Sequence, residues 1–289
     1  MKKTTRTGLF YSAIFVFLVA SFLAVLYAQG YKFSFAEKKF LKTGSIVLSA
    51  NGDADFYLQD AYTGSTSFLN NTLVIRKLLP GNYYVKAMKG DSNIWKKNVV
   101  VEEGLVTEFP HILLLSGSDE SRIAIRKEIG VLFSPTPSPS PRPSPSRTPT
   151  PTPTKTTKPS ASKTPTPIPF PEDSQAVLIK SKLYFNNNGT PELLASNVKG
   201  FSISPDKNKI VWWNTKYEVW VSWVNGTNYQ PYKNSGDTRM IYRVSFNFDA
   251  VRWFRGEDHL VLRTPHKGAP ANYEIFEIDT RGGMNTTPL

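Results

Sequence analysis

Apolar positions along this chain follow three distinct patterns. From Gly8 to Ala28 they are continuous, with no charge and Ser12 as the one strongly polar position. As a helix that run is roughly 31 Å long, matching a hydrocarbon core of about 30 Å. Lipid offers backbone N–H and C=O groups no partner, so such a run is predicted to be helical. Tyr11 and Tyr27 stand near its two ends, where amphipathic rings favour the interface. From Gly44 to Leu115 the apolar positions come in short bursts, at Ser45–Ala50, Ala54–Leu58, Leu73–Ile75, Tyr83–Met88, Trp95–Val101 and Leu105–Leu115. Asn51-Gly52-Asp53, Gly64, Asn70-Asn71, Pro80-Gly81, Gly90-Asp91 and Glu103-Gly104 separate them as turns. This spacing predicts a small antiparallel β-sandwich. Within it, Tyr83, Val85 and Ala87 share one face and Tyr84 and Lys86 the other, as a half-buried strand requires. Ser116 to Phe133, with Ile123, Ile125 and Ile129, fits either a last strand or a short helix.

Beyond residue 172 the bursts repeat. Phe201–Asp206 leading to Ile210-Val211-Trp212 parallels Val251–Gly256 leading to Leu260-Val261-Leu262, and Glu218-Val219-Trp220 parallels Glu274-Ile275-Phe276. Gly226–Tyr232 aligns with Gly282–Leu289 as a terminal segment. A third such segment is Leu183-Tyr184-Phe185 followed by Asn188–Leu193. Each unit reads as the strand order of a propeller blade. At most two and a half blades are present, whereas closed propellers take about four or more. Continuation past Leu289, assembly of several chains, or an open β-domain are the alternatives.

Between the two β regions, 134–171 holds 14 of the chain's 22 prolines, with five basic residues and no acidic one. Proline removes donors and fixes φ, so this stretch is predicted to be an extended polyproline spacer, reaching on the order of 100 Å. The resulting division is a tail at 1–7, a transmembrane anchor at 8–28, a juxtamembrane segment at 29–43, a sandwich at 44–133, the linker at 134–171 and propeller-like repeats at 172–289. The fold class is mainly β. The apolar run is longer than a signal-peptide core, and Leu26 fits a cleavage site poorly, so the anchor is expected to be retained. Lysines flank both ends. The short leading tail favours a cytoplasmic N-terminus with the bulk extracytoplasmic.

Charge changes the picture only once it is divided by region. The net of +12 suggests nucleic acid. However, residues 30–133 carry 13 basic against 11 acidic residues, and 172–289 carry 14 against 12. The excess therefore lies in the tail and the linker, and no nucleic-acid partner is expected. With no cysteine, a disulfide framework, thiolate metal sites and a Cys nucleophile are excluded. His111, His259 and His266 lack metal-ligand spacing, so no metal is expected. Asn51, Asp53 and Asp55 fail as a calcium loop, because Phe56 replaces the turn glycine and Tyr62 the closing glutamate. They read as turn residues.

The order Ser49-Ala50, Asn51-Gly52-Asp53-Ala54, Phe56-Tyr57-Leu58, Gly64-Ser65-Thr66, then Leu78, Pro80-Gly81 and Tyr83, then Gly90, Trp95 and Lys97, resembles the PEGA family of extracytoplasmic β-domains. Of the name motif only Ala54 matches. The resemblance implies a surface or interaction module and brings no catalytic residues. Ser204-Pro205-Asp206 before an apolar strand, and the tail Asp279-x-x-Gly282-Gly283-x-Asn285, resemble TolB-type propeller repeats.

No phosphate loop, dinucleotide glycine pattern, nucleophile elbow or His-Glu-x-x-His occurs. Catalytic residues, cofactors and metal ligands are therefore all expected to be none. Trp213, Trp223 and Tyr217 are the candidate ligand surface, because aromatic faces bind sugars and peptides. Trp212 and Trp220 fall on the opposite parity. The expectation is a non-catalytic binding or scaffolding protein of a cell envelope, with membrane lipid, envelope proteins or polysaccharide as partners. The alternative is the accessory part of an envelope hydrolase whose catalytic region lies outside this chain.

Overall fold

A computed structural model describes residues 3–67, 69–90, 93–134, 170, 174–187 and 189–289. The predicted linker falls almost entirely outside the described residues. Helix α1 spans Lys3–Ala28. Its Thr5–Ala28 stretch is the one helix among the described residues long and apolar enough to cross a membrane. Its Leu9, Phe10, Phe15 and Phe17 side chains are exposed. Gly30, in the left-handed region at φ +89°, ends the helix and turns the chain into a hairpin of β1 (Tyr31–Ser34) and β2 (Lys39–Lys42).

Seven strands follow: β3 (Gly44–Ala50), β4 (Ala54–Leu58), β5 (Ala61–Thr66), β6 (Thr72–Leu78), β7 (Gly81–Lys89), β8 (Asn93–Val101) and β9 (Val106–Ile112). They form two sheets, β6-β3-β9 and β5-β4-β7-β8. Period-two alternation holds them face to face. Ile46 and Leu48 from β3 meet Phe56, Val85 and Ala87 from the other sheet, all fully buried. The pairing departs from the purely antiparallel expectation at one place, where β9 runs parallel to β3. Strand β8 crosses from one sheet to feed β9 in the other, which brings β9 in from the same end as β3. Asn51 is a structural residue. Its side-chain amide donates to Leu114 O at 3.0 Å and accepts from Leu114 N at 2.8 Å.

The ambiguous segment is helical: α2 runs Asp119–Leu132. Ser118 caps it by accepting from Ser121 N, and Asp119 and Glu120 complement its N-terminal dipole. Ile125 and Ile129 are buried four residues apart, while Ile123 is 68% exposed, so helical spacing prevails over strand parity.

The C-terminal region is three antiparallel sheets: β10 (Ala176–Ile179), β11 (Lys182–Asn187) and β12 (Thr190–Ser196); β13 (Val198–Ile203), β14 (Lys209–Asn214), β15 (Glu218–Trp223) and β16 (Thr238–Arg243); β17 (Ala250–Trp253), β18 (His259–Thr264), β19 (Asn272–Glu277) and β20 (Thr286–Pro288). Strands β10, β13 and β17 are neighbours, so the sheets stack in the manner of consecutive blades. Gly200, the cross-strand partner of Trp213 within the second sheet, leaves room for the indole ring over β13. A Cβ there would stand 2.3 Å from the Trp213 ring. One alignment is corrected. Gly226–Tyr232 is a loop with a cis Gln230–Pro231 bond, and the fourth strand of the second sheet forms later, at β16. Among the described residues, no fourth sheet meets the third sheet's outer face. Phe254, Val261, Ile275 and Leu289 pack there against Leu115, Ile125 and Ile129, so α2 closes the stack on that side. Arg255 and Glu128 add an ion pair at 2.7 Å across the same contact.

Candidate functional site

The chemistry-bearing side chains of this protein converge where the sandwich meets the second and third sheets. Strand β8 supplies the first of them. Trp95, Lys97, Val99 and Val101 share its buried face, and Lys97 is 1% exposed. A buried ammonium requires a full set of acceptors. Lys97 Nζ lies 2.5 Å from Glu277 Oε1 and donates to Asp279 O at 2.6 Å and Gly283 O at 2.5 Å. Glu277, at the end of β19, accepts further bonds from Trp95 Nε1 at 3.1 Å and from Asn285 Nδ2 at 2.8 Å. Burial pushes the Glu277 carboxyl above the usual carboxylate range, against the opposing pull of Lys97.

Two of the sandwich's four edge strands, β8 and β9, are covered at this joint. Asn285 accepts from Lys96 N at 2.9 Å and donates to Lys96 O at 3.2 Å, so its amide pairs with β8 as a strand would. Gln230 does the same for β9, donating to Val106 O at 2.8 Å and accepting from Glu108 N at 3.1 Å. Edges treated this way offer no template for another chain. Asn98 N also donates to Gly282 O at 2.9 Å. Gly282 sits at φ +65°, where a Cβ would fall 2.3 Å from Asn98 O. Only glycine permits that approach. Arg281 then joins three parts of the seam. It pairs with Asp279 at 2.7 Å, donates to Gln230 Oε1 at 2.9 Å and to Glu108 O at 2.6 Å, and lies 4.6 Å over the Phe109 ring.

A second cluster centres on Asp258, in the turn before β18. Lys209 Nζ approaches Asp258 Oδ1 at 3.3 Å and donates to Tyr229 OH at 2.7 Å, and Tyr229 donates to Asp258 Oδ1 at 2.9 Å. His111 Nδ1, from β9, lies 3.2 Å from Asp258 Oδ2. The sandwich, the second sheet and the third sheet thus share one carboxylate. Burial lowers the Lys209 ammonium from its ordinary range, and Asp258 opposes that shift. Burial and the neighbouring Asp258 raise the Tyr229 hydroxyl, which stays a proton donor. The Ser204-Pro205-Asp206 turn sets this cluster. Ser204 donates to Asp206 and accepts from Lys209 N at 2.9 Å, which fixes where β14 begins.

The crevice between these clusters holds about 30 Å³, bordered by Trp95, Phe109, Trp223 and Tyr229. That is room for roughly one water, far below the several hundred Å³ of a ligand pocket. Between the two clusters the seam is packed, and hollows of about 340 Å³ beside Asp258 and about 400 Å³ beside Arg281 flank it. The larger hollow, about 800 Å³, lies between the first and second sheets and is lined by Asn186, Asn187, Glu192, Asn225, Ser235 and Trp223, among others.

Of the three residues singled out from the sequence, Trp213 and Trp223 are buried at 4% and 3% exposure in the core between the second and third sheets. Tyr217 packs on Phe248 beside them, with ring centroids 6.1 Å apart. They do not make an exposed aromatic face, although Trp223 borders both the crevice and the larger cleft. Trp212 and Trp220 stack at 5.3 Å and 4° on the opposite side of the same sheet. The predicted parity holds, and both sides of the sheet are interior. Lys97 enters the sequence reading only through the PEGA resemblance, and its burial was not foreseen, yet the signal was present: a lysine on the core parity of β8, between Trp95 and Val99.

His259 follows Asp258 and is buried. Burial lowers its pKa from 6.5 to about 4. The unfolded chain takes up that proton near pH 6.5 and the folded chain only near 4. Stability present above pH 6.5 is therefore lost as pH falls toward 4, by up to about 3 kcal/mol. Urea midpoints at pH 7.5 and 5.0 are expected to separate in the parent protein and to converge in His259→Leu. An unchanged separation would assign the acid sensitivity elsewhere.

The chain matches no protein-family model and no curated protein. The likeness to PEGA domains and TolB-type repeats rests on the residues quoted above.

Proposed function

We propose that this protein is a membrane-anchored, non-catalytic binding and scaffolding protein of a cell envelope, with its N-terminus cytoplasmic and its folded bulk extracytoplasmic. The observation that carries this reading is the joint. Lys97 with Glu277 and Lys209 with Asp258 are paired across element boundaries, and Arg281 donates across them to Gln230 and Glu108. They unite the PEGA-like sandwich and the propeller-like sheets into one rigid head, behind a helix of membrane-spanning length. Groups paired in this way hold the elements of the joint together. The cleft between the first and second sheets is the binding face. Its amides and hydroxyls suit the hydroxyls of an uncharged polysaccharide, which takes directional hydrogen bonds at many weak points.

Two measurements on the full chain test this. In intact cells, protease is expected to cut within 134–171; cleavage only after lysis would overturn the topology. In detergent micelles, binding of purified envelope polysaccharide is expected to weaken roughly tenfold in Asn187→Ala, as loss of one hydrogen bond implies. Equal binding by the parent and Asn187→Ala would remove the cleft from the reading.

A further inference from the structure

The β1–β2 hairpin has two unlike faces. One is committed to the sandwich: Ser34 and Leu41 are buried, Lys32 Nζ donates to Lys77 O at 2.7 Å, and Lys42 N donates to Glu103 at 2.9 Å. The other is bare and aromatic. Phe33 and Phe40 are cross-strand partners with ring centroids 5.2 Å apart, and Phe35 stands 5.2 Å from Phe33. Their exposures are 40%, 41% and 86%. Residues 31–42 carry four lysines against the single Glu37, a net of +3.

The position of this face is constrained. Tyr31 follows the last residue of α1 by three. Gly30 O accepts from both Thr43 N and Thr43 Oγ1 at 2.8 Å, which closes the hairpin's base at the helix end. Lys77 Nζ, on the sandwich, lies 3.2 Å from Tyr27 OH and 4.5 Å from the centre of its ring. A four-residue strand reaches only about 13 Å, so the phenyl rings stay near the level at which α1 leaves the hydrocarbon.

We propose that the hairpin is a second membrane contact, its Phe33, Phe35 and Phe40 rings lying in the headgroup layer of the bilayer that α1 enters, with Lys38 against lipid phosphates. Aromatic rings beside basic residues are the composition that this layer takes up, to a depth of roughly 5–10 Å. With α1 alone, the head would rotate freely about the helix axis. With the hairpin seated, one side of the sandwich faces the bilayer and the sheets project away. This inference rests on α1 lying in the bilayer.

The chain contains no cysteine, so single labelling sites can be placed at will. Phe35→Cys, Leu18→Cys and Tyr62→Cys in the full chain would each carry an environment-sensitive fluorophore. The proteins would be held in nanodiscs of phosphatidylcholine and phosphatidylglycerol containing spin-labelled lipid. Phe35 and Tyr62 are exposed enough that their replacement leaves the fold intact. The Phe35 site is expected to be blue-shifted and to lose most of its emission to a spin label near the headgroup. The Leu18 site is expected to respond to a label at the bilayer centre, and the Tyr62 site to neither. A Phe35 site that behaves like Tyr62 while Leu18 is quenched would overturn the hairpin contact and leave the anchor standing. An unquenched Leu18 site would overturn both.

Discussion

Replacing Lys97 with methionine is expected to lower the stability of the folded head by about 3–5 kcal/mol, because one partner of a buried ion pair is removed and the other stays buried. Lys97 has no side-chain exposure and Glu277 has 8%. The variant leaves the Glu277 carboxylate and the carbonyls of Asp279 and Gly283 short of a donor in a place water does not reach. The sandwich should then come away from the third sheet before either unfolds. Urea unfolding followed by two probes, one on each side of the joint, would show separate transitions where the parent shows one. The double variant Lys97→Met with Glu277→Leu should recover part of the loss, since an apolar pair avoids desolvating two charges. Recovery would be incomplete, because Glu277 also holds Trp95 and Asn285. A loss below about 1 kcal/mol in the single variant would be the figure for an exposed pair and would contradict the buried joint.

Phe254→Ala is expected to cost about 3–5 kcal/mol, the range for truncating a buried phenyl ring. Phe254 is fully buried between the third sheet and α2, beside Ile125, Ile129, Val261 and Ile275. Its loss removes the middle of the contact that closes the stack. The third sheet would then present an apolar face to solvent, and such faces associate. Amide exchange across Asp119–Leu132 should accelerate, and sedimentation should show oligomers. Ile123→Ala, on the exposed side of the same helix, should change stability by less than about 0.5 kcal/mol. If the two variants behaved alike, α2 would not be the element that ends the stack.

Legibility of the fold followed how local each signal is. The sandwich strands could be read because alternation at Tyr83–Ala87 and the turns between bursts are set by neighbouring residues. Segment 116–133 could not be decided, since Ile123 and Ile125 fit a strand and Ile125 and Ile129 a helix. Only the apolar face of the third sheet selects the second pair. Gly226–Tyr232 aligned well with the terminal segment yet forms a loop, because Tyr229 and Gln230 are drawn into the joint by Asp258 and by the edge of β9. The tryptophans were expected to be divided between a surface and a core. Sheets pack on both sides of β14 and β15, so both parities are interior.

Taken alone, the sequence determined the membrane-length helix, the mainly β character, the proline-rich interruption and the repeat, because each follows from the solvent or backbone preferences of a continuous stretch. The tertiary structure alone decided that Lys97 faces Glu277, that Asp258 is shared by three elements, and that a helix ends the stack of sheets. Trp95 and Glu277 are 182 residues apart in the chain. A buried charge is tolerable only beside its partner, and no local pattern states where along the chain that partner lies.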